Sequence, residues 1–345
     1  MAQRKNSPTI HDIAKALDVT PSTVSRALNN HPRISQTTKE AVWRMASTLN
    51  YQHNHLAAAL RRGRSSLLGV MVPTINRSFF SSVVRGIEEV ANEAGYAVMV
   101  CQSHEMQEQE AANVQVLLRT QVDGIIVSVG KGTSDFSHFQ QIIDRNTPLV
   151  LFDRVPESLP ASAVVIDDYR GAYQATRHLI EQGCRRVIHL AGPAHLNIYR
   201  DRQRGFEDAH RLHGLPLETS QILPGSLQQD AGHDSITALL EAGEPFDGIF
   251  SASDYAAVGA MQALKARGIA IPEAVAIAGF SNEPFTSMIE PGLTTVEQHS
   301  RQMGQTTARI FLEQFDHQGD PYVPRRTVLT PELIVRGSSL RQNPR

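Results

Sequence analysis

Cysteine is nearly absent from this 345-residue chain, which has only Cys101 and Cys184. Both sit in apolar surroundings, and neither has a partner at a metal-ligand or redox spacing. They read as buried thiols in a reducing compartment, which excludes a disulfide framework or a zinc site. The N-terminus, MAQRKNSPTI, lacks the apolar core of a secretion signal, and no stretch approaches the ~20 apolar residues a membrane span needs. A cytoplasmic protein with no membrane partner is expected.

Catalytic signatures are missing as well. There is no HExxH and no GxSxG. Gly130-Lys131-Gly132-Thr133 has the composition of a phosphate loop but fails the GxxxxGK(S/T) spacing. The 14 histidines are scattered, and His178 and His189 read as helix-face and strand residues. No enzyme, metal or cofactor is expected. The tail from Asp316 shows no sustained apolar heptad, so nothing supports a coiled-coil tetramer.

What is present points elsewhere. The length implies two or three domains, and 41% apolar residues suffice for sizeable cores. The net charge of −2 hides an asymmetry: residues 1–64 carry ten basic and three acidic side chains, a charge of +7, which leaves −9 on the remainder. A cationic head on an anionic body fits a polyanionic partner.

Thr9-Ile10-His11-Asp12 reads as a capping box, followed by Ile13, Ala14 and Leu17 at helical spacing. Asp18-Val19 is a turn. Thr20 caps a second helix whose first position is Pro21, where no backbone donor is missed. Val24 and Leu28 face inward, and Asn29-Asn30-His31-Pro32 ends that helix. Ser35 caps a third, with Ala41, Val42, Met45, Ala46 and Leu49 on its buried face. The result is a helix-turn-helix whose second helix presents Pro21, Ser22, Ser25 and Arg26 near its N-terminal half, the part that enters a major groove. Arg26 has the geometry to pair bidentately with a guanine edge. Thr9, Thr20, Thr23, Asn29 and Arg33 complete the DNA-facing set in the head. A generic helical bundle is the plainer alternative.

Leu56-Ala57-Ala58-Ala59-Leu60-Arg61-Arg62-Gly63-Arg64 follows, an Ala-rich run with Asn54 as its cap. It is shorter than the ~12–15 residues an isolated helix needs, so it is marginal on its own. Asn54, Ala57, Leu60 and Arg61 are read as DNA contacts, with Leu60 a minor-groove wedge held by the flanking arginines. The competing readings are a flexible linker, and a Leu60 that packs on the body.

TIHDIAKALDVTPSTVSRALNN, then ISQTTKEAVWRMASTLNY and NHLAAALRRGRS, resemble the lactose/galactose repressor family, and the match extends to about residue 337. His53 departs from the family's usual proline. The resemblance implies a homodimeric transcription regulator, a repressor of carbohydrate genes bound to a pseudo-palindromic double-stranded DNA operator. Its effector would be a small sugar, sugar acid or sugar phosphate. The rival for the body alone is a solute-binding protein of a sugar transport system, against which the basic head argues.

From Leu67, β-rich runs alternate with amphipathic segments. The runs are Leu67–Val72, Ala97–Cys101, Gly124–Ser128, Leu149–Phe152, Val164–Ile166, Val187–Leu190, Gly248–Ser251 and Val275–Ala278. This rhythm predicts an α/β body with parallel sheets, and its length requires two of them. With the family's periplasmic-binding-protein-like core, the expected division is a helix-turn-helix domain at 1–52, a hinge at 53–64 and an effector core at 65–345. The N-lobe would span about 65–165 and 294–326, the C-lobe about 166–293 and 327–340, with chain crossings near 165, 293 and 326, Leu293-Thr294-Thr295-Val296-Glu297-Gln298 being the return crossing.

Ligands sit beyond the carboxyl ends of strands in such sheets, which places an effector in the interlobe cleft. By resemblance, Phe79, Phe80, Asp153 and Arg202 map to effector-contacting positions, as do Leu227, Ser253, Ser281 and Gln298. Plainer roles are available: Phe79 and Phe80 as core, Asp153 as a turn cap, Arg202 in an interlobe salt bridge. Ser253 stands where many members have Asn, and Ser281 where most sugar-binding members have Asp. The lost carboxylate shifts the expected effector toward a sugar acid or phosphorylated sugar.

Overall fold

The computed structural model describes residues 8–51, 64–316 and 323–341. The chain divides between Ser65 and Ser66 into two compact units. The first contains α1 (Ile10–Leu17), α2 (Pro21–Leu28) and α3 (Gln36–Thr48). Its caps are the expected ones. The Thr9 amide donates to the Asp12 carboxylate at 2.8 Å. The Thr23 amide donates to Thr20 Oγ1 and that of Thr38 to Ser35 Oγ, each at 3.2 Å. Asp18 turns the chain from α1 toward α2 in the left-handed conformation, φ 53°. Ile13, Ala14, Val24, Ala27, Leu28, Val42 and Ala46 form the core.

The second unit has two six-stranded sheets. The first holds β1 (Leu67–Val72), β2 (Ala97–Gln102), β3 (Gly124–Val127), β4 (Leu149–Phe152), β5 (Ser162–Ile166) and β11 (Arg326–Leu329), in the order β11-β5-β4-β3-β1-β2 with every pair parallel. The second holds β6 (Val187–Ala191), β7 (Ile222–Pro224), β8 (Gly248–Ser251), β9 (Ala276–Phe280), β10 (Thr294–Glu297) and β12 (Glu332–Ile334), in the order β12-β10-β9-β8-β6-β7. Only β10 and β12 run antiparallel. Both sheets are doubly wound, which puts a switch point at the carboxyl ends of the central strands.

The helices that matter for the site are α4 (Ser78–Glu93), α5 (Gln107–Arg119), α6 (Ser137–Asp144), α7 (Asp168–Glu181), α8 (Asn197–Leu212), α9 (Gln229–Ala242), α10 (Asp254–Ala266) and α11 (Ser300–Asp316). α11 returns from the second lobe and packs on α4 at backbone distance. A Cβ on Gly86 would stand 2.1 Å from the Arg301 carbonyl oxygen, and one on Gly304 2.1 Å from that of Val83. The first sheet thereby gains a helix that the chain supplies last.

Two expected crossings move. β10 lies inside the second sheet, with Thr294 beside Ala278 of β9, so the return crossing falls at Gln298-His299 rather than near 293. β11 pairs with β5 in the first sheet while β12 belongs to the second, so the last crossing falls between Leu329 and Glu332 rather than near 326. The resemblance places the crossings only approximately, and the burial of Thr294-Thr295-Val296 in the second sheet leaves no mark in the sequence that names the sheet. The first crossing lies between Ile166 and Asp168.

Candidate functional site

In the head, Ser22, Arg26, Asn29 and Arg33 are exposed, while Pro21, Thr23 and Ser25 are half-buried. Thr9 and Thr20 are the N-caps of α1 and α2, and Asn29 is the C-cap of α2. The Thr20 hydroxyl is further tied to the Ser22 and Thr23 hydroxyls at 2.8 and 2.9 Å. The guanidinium groups of Arg26 and Arg33 pair with no side chain among the described residues, which leaves both free for an external acceptor. Asn54, Ala57, Leu60 and Arg61 lie outside the described residues.

In the second unit a cavity of about 330 Å³ opens between the lobes at the carboxyl ends of both sheets. That is within the range of small-ligand sites. Phe79, Phe80, Asp153, Arg202, Leu227, Ser253, Ser281 and Gln298 all line it. Phe79 and Phe80 lie in the first turn of α4. Each also belongs to the first lobe's apolar core, so they are both core and wall.

Arg202 is 3% exposed and held on all sides. Its Nε donates to Asp168 Oδ1 at 2.8 Å, one terminal nitrogen to the Ala252 carbonyl at 2.8 Å, and the other to Gln298 Oε1 at 3.3 Å. The guanidinium lies 3.7 Å from the Phe280 ring centroid. Gln298 Nε2 in turn donates to Ser281 Oγ at 2.8 Å. Asp168 follows the first interlobe crossing and Gln298 lies in the second. One buried side chain on the cavity wall therefore grips two of the three strands of chain that join the lobes. Burial pushes the Asp168 carboxyl up to about 7 against the pull of Arg202. Burial likewise raises Asp153, opposed by Arg154 and Arg202. Asp153 also carries a left-handed backbone, φ 60°, a conformation a non-glycine residue holds only when its surroundings impose it.

The cavity is closed by contacts across the lobes. Arg77 lies 3.4 Å over the Tyr255 ring. Lys131 Nζ donates to the Ser226 carbonyl at 3.2 Å. The buried Asn197 side chain accepts from the Val155 amide at 3.0 Å and donates to the Asp153 carbonyl at 3.2 Å.

Sequence reasoning missed Arg77, Glu105, Lys131, Tyr199, Tyr255 and Glu283, all of which line the cavity. Each lies within a few residues of a strand's carboxyl end or in the helix that follows, so the strand-end rule applied more widely would have found them. Arg154, beside Asp153, donates to Glu105 at 2.7 Å. The carboxylate missing at Ser281 reappears two residues on as Glu283, so the cleft is not depleted of negative charge.

Among the described residues no helix is long and apolar enough to cross a membrane, and no group of His, Cys, Asp and Glu is placed to hold a metal. Comparison with known proteins agrees with the two-unit layout. Residues 9–54 match the family described as bacterial regulatory proteins, lacI family, and residues 65–334 match periplasmic binding proteins and sugar binding domain of LacI family. The HTH-type transcriptional regulator DegA of Bacillus subtilis (strain 168) is 33% identical over 332 residues, covering 96% of this chain and 98% of its own. The ribose operon repressor of Halalkalibacterium halodurans is 34% identical over 329 residues, covering 95% and 96%. A crystal structure of the Lac repressor bound to ONPG in the repressed state superposes with a TM-score of 0.85 at 25% identity, covering 96% of this chain and 100% of that one.

Proposed function

The chain belongs to the lacI family of bacterial regulatory proteins, and from that premise we propose that it is a DNA-binding repressor of carbohydrate genes whose operator affinity is set by a sugar-like effector in the interlobe cavity. It would act as a homodimer, with two heads on the halves of a pseudo-palindromic site. A second copy has a surface to meet. Val100, Met106 and Val116 are 42%, 50% and 40% exposed, on or beside the edge strand β2 and its neighbour α5.

The observation that carries the reading is Arg202, which faces the cavity while bonded to Asp168 and Gln298 at two interlobe crossings. A ligand that engages this guanidinium also acts on the segments that set the angle between the lobes. If the lobe arrangements differ in DNA affinity, a ligand that prefers one shifts the population toward it, by no more than its difference in affinity for the two. The sugar effector class is supported by the family match and by relatives named for ribose and bound to ONPG.

A gel-shift with genomic fragments tests the reading, using the full chain and the chain lacking residues 1–64. Retarded discrete fragments with the full chain, and none without the head, are expected. No retardation by either chain would favour a sugar-transport binding protein, and equal retardation by both would place the DNA contacts outside the head and overturn the reading.

A further inference from the structure

The loop after β9 carries a carboxylate that the protein itself leaves unsatisfied. Glu283 is 4% exposed and lines the effector cavity. Its Oε2 is buried and meets no hydrogen-bond partner among the described residues. The other charged groups of the cavity each meet a partner, Arg154 with its Nε left unbonded 3.8 Å from Asp153. Arg154 is bonded to Glu105, Arg202 to Asp168, and Lys131 to the Ser226 carbonyl. Arg77 is stacked on Tyr255 and hydrogen-bonded to Gln228.

The loop is built to hold Glu283 in place. Ser281 and Asn282 take left-handed backbone conformations, φ 125° and 50°. The Asn282 side chain donates to Glu297 at 2.6 Å and accepts from Arg336 at 2.8 Å. The Glu283 amide donates to Asp254 Oδ2 at 2.9 Å, which sets a second carboxylate behind it. Such a residue costs stability in the empty protein, since a buried charge without a partner pays desolvation with no return. An arrangement held against that cost is intelligible where a ligand supplies the missing donors.

We propose that Glu283 is the effector-selecting acceptor of the cleft, and that it receives a pair of adjacent hydroxyl groups from an uncharged sugar. This rests on the regulator reading above. The carboxylate has two oxygens and no donor, so it matches a vicinal diol and opposes a carboxylate or phosphate on the ligand. An ammonium ligand is disfavoured because Arg77, Lys131, Arg154 and Arg202 line the same cavity. Hydrogen bonds to an ionised acceptor are about twice as strong as neutral ones, which gives the site its selectivity.

The test uses the full-length protein and its Glu283→Gln and Glu283→Ala variants. Calorimetric titration would use D-ribose, D-glucose, D-galactose and cellobiose against D-gluconate, glucose 6-phosphate and D-glucosamine. Melting temperatures would be recorded without ligand. A neutral sugar should bind the wild type most tightly, and both variants should weaken it about tenfold or more, as loss of a hydrogen bond to a charged group does. Glu283→Gln, which keeps the shape and removes the buried charge, should melt higher than the wild type. A lower melting temperature for Glu283→Gln would show a structural carboxylate and overturn the proposal. So would unchanged sugar affinity in the variants, or D-gluconate or glucose 6-phosphate outranking every neutral sugar. Failure of the whole panel to bind the wild type would count against the sugar-effector reading itself, and the melting temperature would still decide for or against an unpaired Glu283.

Discussion

Replacing Arg202 by Met tests the link between the cavity and the interlobe crossings. The change removes the bonds to Asp168, Ala252 and Gln298 and the contact with Phe280, while keeping an unbranched side chain in the gap. Breaking a buried pair from one side costs about 3–5 kcal/mol when the remaining group must stay charged, and less where it can take up a proton. The size of the loss depends on pH in a defined direction. Asp168 is raised to about 7 by burial even with Arg202 beside it. A carboxyl raised in the folded state favours folding fully below its unfolded value near 3.8, and that benefit is lost as pH rises through the folded value. Without Arg202 the carboxyl titrates higher still. Below about 7 both proteins hold Asp168 neutral, and the gap reflects only lost hydrogen bonds and packing. Above it the variant holds a proton that the wild type releases, and the gap widens. Urea unfolding followed by circular dichroism at pH 5.5 and 8.5 should show the variant's deficit growing with pH. Adding Asp168→Asn should recover part of it at pH 8.5. A deficit below about 1 kcal/mol, or one equal at both pH values, would refute the pairing.

Arg26→Ala should cost about 1–3 kcal/mol on the specific operator and less on random DNA, since the random term is mostly phosphate charge; equal losses in a fluorescence titration would make Arg26 a phosphate anchor. His189 is stacked against both Phe206 and Phe250, and burial holds its imidazole down at about 4 from an ordinary 6.5. The neutral ring's contribution is therefore whole above 6.5 and lost as pH falls toward 4, about 3 kcal/mol at ~1.36 kcal/mol per pH unit. His189→Phe should flatten the stability profile across that window, and parallel profiles would contradict this. Leu60→Ala should weaken operator binding and reduce the DNA bend without changing thermal stability or ligand affinity; early melting with the bend intact would make Leu60 a packing residue.

Much of this architecture is legible in the chain because burial leaves compositional marks. Leu67–Val72, Leu149–Phe152 and Gly248–Ser251 are strands with the bounds their apolar runs predict. Thr9, Thr20 and Ser35 announce helix starts, since a hydroxyl before an apolar periodic stretch is what an N-cap requires. Sheet membership is not so marked. Nothing in Thr294–Glu297 distinguishes a crossing from a strand, and the three-residue β12 is too short to show a period. The eight cleft residues carried over by resemblance converge on one cavity. Glu283 is reachable by the strand-end rule as a cavity residue, but the left-handed turn before it and its unbonded oxygen appear only in three dimensions.

A DNA-reading head coupled to a sugar-gated core must show that coupling at its own operators. Genome-wide footprinting with the full-length protein, repeated with each sugar that raises its melting temperature, tests this most directly. The account predicts protection of discrete twofold-symmetric sites near carbohydrate genes, with occupancy changed by at least one such sugar. Protection without sequence preference, or specific sites whose occupancy ignores every sugar that binds the core, would contradict it.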